Sequence, residues 1–202
     1  MTSVTRYQRF KREVMNAPNM ITIGRVFLIP PVLMLIDKTD PYKCVYAMLI
    51  FMLASVLDLV DGWLARRSGL VTVFGKFVDP LADKIMVAAL LIYLVADGRV
   101  PAWMVVILLT RDFYIQGLRT LASNSGVVIA AGAGGKAKTV FQLVGICFLL
   151  VHYPYRMIGT SDYLDLHTVG ILTLGISIIA SLVSAVQYTV GFGRALSEQR
   201  SE

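Results

Sequence analysis

The chain has 202 residues, 56% of them apolar and 16% charged, with a mean hydropathy of +0.69. That balance is too apolar for a water-soluble domain of this length and excludes a disordered chain. Nineteen Lys and Arg against thirteen Asp and Glu leave a net charge of +6. In a soluble protein this would suggest nucleic acid; here the basic residues lie near the ends of apolar runs, where they set membrane orientation, and no nucleic-acid partner is expected.

In chain order, the first fifteen residues place Val4, Tyr7, Phe10 and Val14 at helical spacing, with Arg6, Arg9 and Arg12 on other faces. This predicts a short interfacial amphipathic helix over 1–17, lying on anionic headgroups. Six apolar segments follow, at about 20–36, 43–60, 77–96, 101–121, 139–153 and 168–190, separated by Asp-, Gly- or Pro-containing breaks. Their lengths, from 15 to 23 residues, fit helices that cross a bilayer core and are joined by short loops. The expected fold is therefore an all-α integral membrane protein, one domain over 1–202 with six transmembrane helices and the lipid bilayer as its solvent. Pro30-Pro31 should kink the first span. That span starts at Met20, lacks a small-residue cleavage site and is followed by others, so a cleaved signal peptide is not expected. Cys44 and Cys147 fall in different apolar stretches, which gives neither a disulfide framework nor a metal-binding spacing. The segment Gly132-Ala133-Gly134-Gly135 reads as a flexible loop, and His152 and His167, flanking an outer loop with Asp162 and Asp165, as residues of a solvated loop.

An even number of spans puts both termini on one side. That side carries Arg6, Arg9, Lys11, Arg12, Arg66, Arg67, Lys76, Arg119, Lys136, Lys138, Arg194 and Arg200; the other carries only Lys38, Lys43, Arg99 and Arg156. The asymmetry predicts cytoplasmic termini.

The informative stretch joins the second and third segments, where Asp58, Asp61, Asp79 and Asp83 stand at the cytoplasmic boundary. Carboxylates at membrane depth cost several kcal/mol, so four together point to function. At about 100° per residue, Asp58 and Asp61 share a helix face with Gly62 and Ala65, while Gly75, Asp79 and Asp83 form a second stripe at intervals of four. Ion pairing with Arg66, Lys76 and Lys84 would explain neither the small residues on those stripes nor the concentration of acid. A cage of four carboxylates is balanced by two divalent cations, and oxygen-only ligands favour Mg²⁺ or Mn²⁺, the usual clamp for phosphoryl substitution.

The pattern Asp58-x2-Asp61-Gly62-x2-Ala65-Arg66-x8-Gly75-x3-Asp79-x3-Asp83, eight fixed residues across 26 positions, resembles the signature of the CDP-alcohol phosphatidyltransferases. The resemblance extends to Pro18-Asn19-x2-Thr22-x2-Arg25 before it, and to Arg111-Asp112, Gly117-Leu118-Arg119 and Gly135-Lys136-x-Lys138-Thr139 after it. These flanks look most like the bacterial branch that uses glycerol 3-phosphate, although that branch is expected to carry Glu where this chain has Asp112. The resemblance implies a six-helix enzyme of the bacterial inner (cytoplasmic) membrane, usually a homodimer, with its active site on the cytoplasmic side. It would transfer a phosphatidyl group from CDP-diacylglycerol to an alcohol and release CMP. Carried over by position, Asp58, Asp61 and Asp79 would ligate the metals, and Asp83 would take the proton from the attacking hydroxyl while also contacting a metal. Gly62, Ala65 and Arg66, with Asn19 and Thr22, would line the CDP-diacylglycerol pocket.

Arg111, Arg119, Lys136 and Lys138, helped by Arg25, are the candidates for gripping a second phosphate, which glycerol 3-phosphate carries and serine does not. Inositol phosphate, phosphatidylglycerol and serine are the competing acceptors within the same fold. A cation transporter is the reading from another class, but the carboxylates sit at one end of the spans with no polar trail to the other face. An intramembrane aspartic protease would need just two Asp and no metal cage.

Overall fold

In a computed structural model, residues 17–37, 39–68, 73–125, 133–156 and 163–199 are described; within them, the side chains of 17–19, 58–68, 73–80, 83, 124, 133–134, 136, 155–156 and 198–199 are not. The interfacial helix expected over 1–17 lies, but for Ala17, outside the described residues. The elements are α1 (Ala17–Phe27), α2 (Ile29–Leu35), α3 (Pro41–Ser68), α4 (Val73–Ala96), α5 (Ala102–Asn124), α6 (Ala133–Val151), β1 (Pro154–Arg156), β2 (Tyr163–Asp165) and α7 (Leu166–Gln199). Among the described residues the regular structure is thus helical, apart from one antiparallel pair of three-residue strands, β1 with β2, that composition did not reveal.

All six apolar segments lie largely within helices, but the polar ends extend further than the apolar runs. The second continues to Ser68 and the third begins at Val73, so every fixed residue of the aspartate motif stands on helical backbone. The first is broken at Leu28, between α1 and α2, where Pro30 and Pro31 occupy the first turn of α2 and can offer no N–H to the preceding carbonyls. Among the described residues, one helix, Leu166–Ser197, is long and apolar enough to cross a membrane by itself; Met20–Leu35, Pro41–Leu57, Lys84–Ala96 and Ala137–Val151 are shorter apolar helices. Helix α5 carries Arg111, Asp112 and Arg119 within its apolar run.

The chain forms two compact units, residues 1–93 and 94–202. In the first, α1 and α2 pack on α3. Helix α3 buries Cys44, Ala47, Phe51 and Ala54, which recur at helical spacing, and α2 buries Ile29 and Val32. The start of α3 is fixed by its preceding loop: Asp40 Oδ1 accepts from the amides of Tyr42 and Lys43 at 3.0 and 3.3 Å, with Pro41 at the first helical position. Asp37 accepts from the Thr39 hydroxyl and amide and from the Lys43 ammonium; these bonds, led by the Thr39 hydroxyl, hold its carboxyl well below the usual range.

In the second unit α7 runs against α6 and also packs on α5. Close approach is permitted by glycine: a Cβ on Gly145 would meet the backbone of Leu174 at 3.2 Å, and one on Gly170 would meet Leu149 Cγ at 2.7 Å. The outward side of α7 leaves Leu172, Ile176, Ile179, Val183, Val186 and Val190 exposed. Such an apolar stripe is unfavourable in water and natural against lipid.

The end of this unit holding the hairpin is tied by Arg99, which is buried. Its guanidinium donates to the carbonyls of Leu149 and Leu150 at 3.3 and 2.8 Å and pairs with Asp97, neutralising the carbonyl end of α6. His167 Nε2 lies 2.9 Å from the Arg99 carbonyl, and the His152 ring stands edge-on to the His167 ring at 4.8 Å. The two histidines are therefore packing residues of a built corner, rather than members of a solvated loop.

Candidate active site

Asp58, Asp61, Gly62, Ala65 and Arg66 lie on α3, and Gly75, Asp79 and Asp83 on α4, the next helix in the chain. Continuous helix through both stretches places Asp58 and Asp61 three residues apart on one face, and Asp79 and Asp83 four apart on another. Pro80, in the early part of α4, brings no N–H to the helix, which leaves the carbonyl of Lys76 without its usual partner. The side chains of all these residues lie outside the described set, and among the described residues no group of three His, Cys, Asp or Glu could hold a metal. The donor chemistry of the four aspartates, carboxylate oxygen only, suits Mg²⁺ or Mn²⁺.

On α1, Thr22 and Arg25 are both buried, 1% and 2% exposed, one turn apart on the same face. Both make polar interactions within the protein. The side chain of Asn19, on the same helix, lies outside the described residues.

The predicted acceptor residues are partly brought together. Arg111 on α5 and Lys138 on α6 meet through Asp112. The Lys138 ammonium lies 2.6 and 2.8 Å from the two carboxylate oxygens, and Arg111 Nη1 lies 3.2 Å from one of them. Arg111 Nε donates to the Ser181 carbonyl on α7 at 2.9 Å, and Ser177 Oγ donates to the Lys138 carbonyl at 3.0 Å. Three helices are thus joined by one polar layer, with Lys138 buried and Arg111 nearly so. Arg119 stands apart. It lies eight residues along α5 from Arg111, about 12 Å by helical rise, exposed, with its guanidinium 5.7 Å from the centre of the Tyr188 ring.

The glycine segment read as a flexible loop is corrected in part, because Ala133, Gly134 and Gly135 form the first turn of α6. A helix N-terminus leaves its first amides without intrahelical partners, and glycine lets other atoms approach them closely. Lys136, whose side chain lies outside the described residues, follows in the same turn.

Sequence reasoning missed Gln142, Ser177 and Ser181, all buried in this layer. The available signal was modest: polar residues one turn apart in otherwise apolar runs, Lys138 with Gln142 and Ser177 with Ser181.

Residues 15–187 match the profile of the CDP-alcohol phosphatidyltransferase family. The chain belongs to that family. Every predicted site residue, from Asn19 to Lys138, falls within the matched range. Among curated relatives, the CDP-diacylglycerol–glycerol-3-phosphate 3-phosphatidyltransferase of Bacillus subtilis is 37% identical over 186 residues, covering 86% of this chain and 93% of the relative. The protein of the same name from Rickettsia bellii is 32% identical over 173 residues, covering 86% and 93%.

Proposed function

We propose that this phosphatidyltransferase moves the phosphatidyl group of CDP-diacylglycerol to sn-glycerol 3-phosphate, giving phosphatidylglycerophosphate and CMP. The reading is supported by family membership, by relatives that bear the name of this reaction over most of their length, and by the basic layer around Arg111 and Lys138. The single observation that carries the chemistry is the placement of four aspartates, at spacings of three and four, on two consecutive helices.

In this reading the two aspartate stripes face one another. Asp58, Asp61, Asp79 and Asp83 would hold two divalent cations, Mg²⁺ or Mn²⁺, whose charge would neutralise the donor diphosphate and the departing CMP. Gly62 and Ala65 keep the α3 face low enough for the cytidine diphosphate to lie against backbone, with Arg66, Asn19 and Thr22 along its edge. Asp83 accepts the proton of the attacking hydroxyl. The oxygen of that hydroxyl forms a bond to the phosphorus bearing the diacylglycerol, and the bond from that phosphorus to the CMP oxygen breaks. Arg111, Arg119, Lys136 and Lys138, with Arg25, hold the acceptor phosphate, aided by the first amides of α6.

The proposal includes six membrane-crossing segments in the bacterial cytoplasmic membrane, with cytoplasmic termini, an interfacial N-terminal helix and a homodimeric assembly. The exposed apolar stripe of α7 and the uneven distribution of basic residues support the membrane placement.

The deciding experiment supplies purified protein with CDP-diacylglycerol, Mg²⁺ and a panel of alcohols, and measures CMP release. Release with glycerol 3-phosphate well above that with serine, inositol phosphate, phosphatidylglycerol or free glycerol is expected. Preference for another alcohol would overturn the acceptor and keep the family.

A further inference from the structure

Gln142 and Ser181 are 3% and 0% exposed, and among the described residues neither Gln142 Nε2 nor Ser181 Oγ has a hydrogen-bond partner. Buried polar groups are ordinarily satisfied, because water's hydrogen bonds are lost on burial and must be replaced. The contrast on α7 itself is sharp. Thr173 and Thr189 bond back to the carbonyls of Val169 and Ala185, and Ser177 donates to the Lys138 carbonyl. Ser181 does none of these, while its own carbonyl is taken by Arg111.

Both unfilled groups border the same place. Gly135 lies against Ser184, Gly145 against Leu174 and Leu149 against Gly170. This antiparallel register sets Lys138 across from Ser181, and Gln142 across from Ser177. Gln142 is also one turn from Lys138 on the same face of α6. An amide nitrogen only donates, so its missing partner is an acceptor atom. Arg111 and Lys138 share one carboxylate, that of Asp112, which leaves one positive charge in excess in this layer, so that partner is best supplied by an anion's oxygen.

We propose that Gln142 and Ser181 are acceptor-binding residues, donating hydrogen bonds to the phosphate end of a hydroxylated phosphomonoester held beside Arg111 and Lys138. The inference rests on the acceptor reading above and adds two neutral donors to a grip otherwise made of charges. These donors favour a compact oxyanion over a zwitterionic or uncharged alcohol, and they are set deeper in α6 than its basic first turns.

The test uses full-length enzyme in detergent carrying Gln142→Leu, Gln142→Glu or Ser181→Ala. Gln142→Leu should raise the KM for glycerol 3-phosphate on the order of tenfold, and Gln142→Glu further, by repelling the phosphate. The KM for CDP-diacylglycerol should stay within about twofold. The Tm of Gln142→Leu should be unchanged or higher, because an unsatisfied buried donor has been removed. In addition, glycerol 3-phosphate should raise the Tm of the wild type more than that of either Gln142 variant. Should Gln142→Leu fail to fold, Gln142→Asn, which withdraws the amide by one methylene, carries the same test.

An unchanged KM in Gln142→Leu and Ser181→Ala, with a wild type that uses glycerol 3-phosphate, overturns the inference and keeps the acceptor. A fall in Tm with the KM unmoved means the two groups are satisfied by buried water, and overturns it equally. A wild type that does not use glycerol 3-phosphate removes the acceptor reading itself.

Discussion

The two carboxylate oxygens of Asp112 lie 2.8 and 2.6 Å from the ammonium of Lys138, across the gap between α5 and α6. A charge this far from water is tolerable only with a partner. Asp112 also touches Arg111, so one carboxylate sets the position of two predicted phosphate-binding cations.

Replacing Asp112 with Asn should accordingly do two things. Losing one member of a buried pair costs on the order of 3 kcal/mol, visible as a lower Tm. Lys138 and Arg111, released from their anchor, should also bind glycerol 3-phosphate less well. Asp112→Glu restores the charge at the expense of one methylene, and should recover most of both properties. A Tm equal to wild type in Asp112→Asn would show that the pair contributes little.

The aspartate cage makes a sharper demand on activity. Asp58→Asn, Asp61→Asn and Asp79→Asn each keep side-chain size and remove charge, and each should abolish or nearly abolish CMP release, as should chelation of divalent cations. Full activity in any two of the three would sink the two-metal arrangement. Asp83→Asn should instead retain substantial CDP-diacylglycerol binding and lose turnover, because its task arises when the hydroxyl gives up its proton.

What the sequence made legible follows from how each signal is written. The aspartates are readable because membrane-depth charge is rare and because helical spacing turns i, i+3 and i+4 into a shared face. Pro30-Pro31 announced the break at Leu28 through a missing N–H. The Asp112–Lys138 pair was not readable, because those residues are 26 apart and only the packing of α5 with its neighbours brings them together. The hairpin and the Arg99 corner were hidden for the same reason, since Leu149 and Leu150 meet Arg99 across about fifty residues of chain. The first turn of α6 was misread because glycine is intrinsically poor in helices, a penalty of about 1 kcal/mol each that tertiary packing readily overrides.

Two glycines on α7 should answer differently to the same change. A Cβ on Gly170 would lie 2.7 Å from Leu149 Cγ and 3.1 Å from the Leu149 amide nitrogen, whereas one on Gly175 meets nothing within 4 Å. Gly170→Ala should therefore destabilise by about 1–3 kcal/mol through overpacking. Gly175→Ala should be neutral, or slightly stabilising through helix propensity. Thermal unfolding in detergent checks both, and equal Tm values would contradict the close approach of α6 and α7.

Arg119 is the predicted acceptor residue whose loss should disturb the fold least. It is exposed, lies two turns beyond Arg111 on α5, and stands with its guanidinium 5.7 Å from the centre of the Tyr188 ring. Glycerol 3-phosphate carries its dianion at the end opposite its reacting hydroxyl, so the enzyme must hold fixed positive charge some way from the aspartates. Arg119→Gln and Lys136→Gln should each raise the KM for glycerol 3-phosphate, with a smaller effect on CDP-diacylglycerol. A lost charged hydrogen bond is worth about 1.5–3 kcal/mol, so the rise should be on the order of ten- to a hundredfold. Because Arg119 is exposed, the Tm of Arg119→Gln should stay close to wild type, which separates lost binding from lost structure. An unchanged KM in both variants would move the phosphate grip wholly into the buried layer of Arg111, Lys138 and their neighbours.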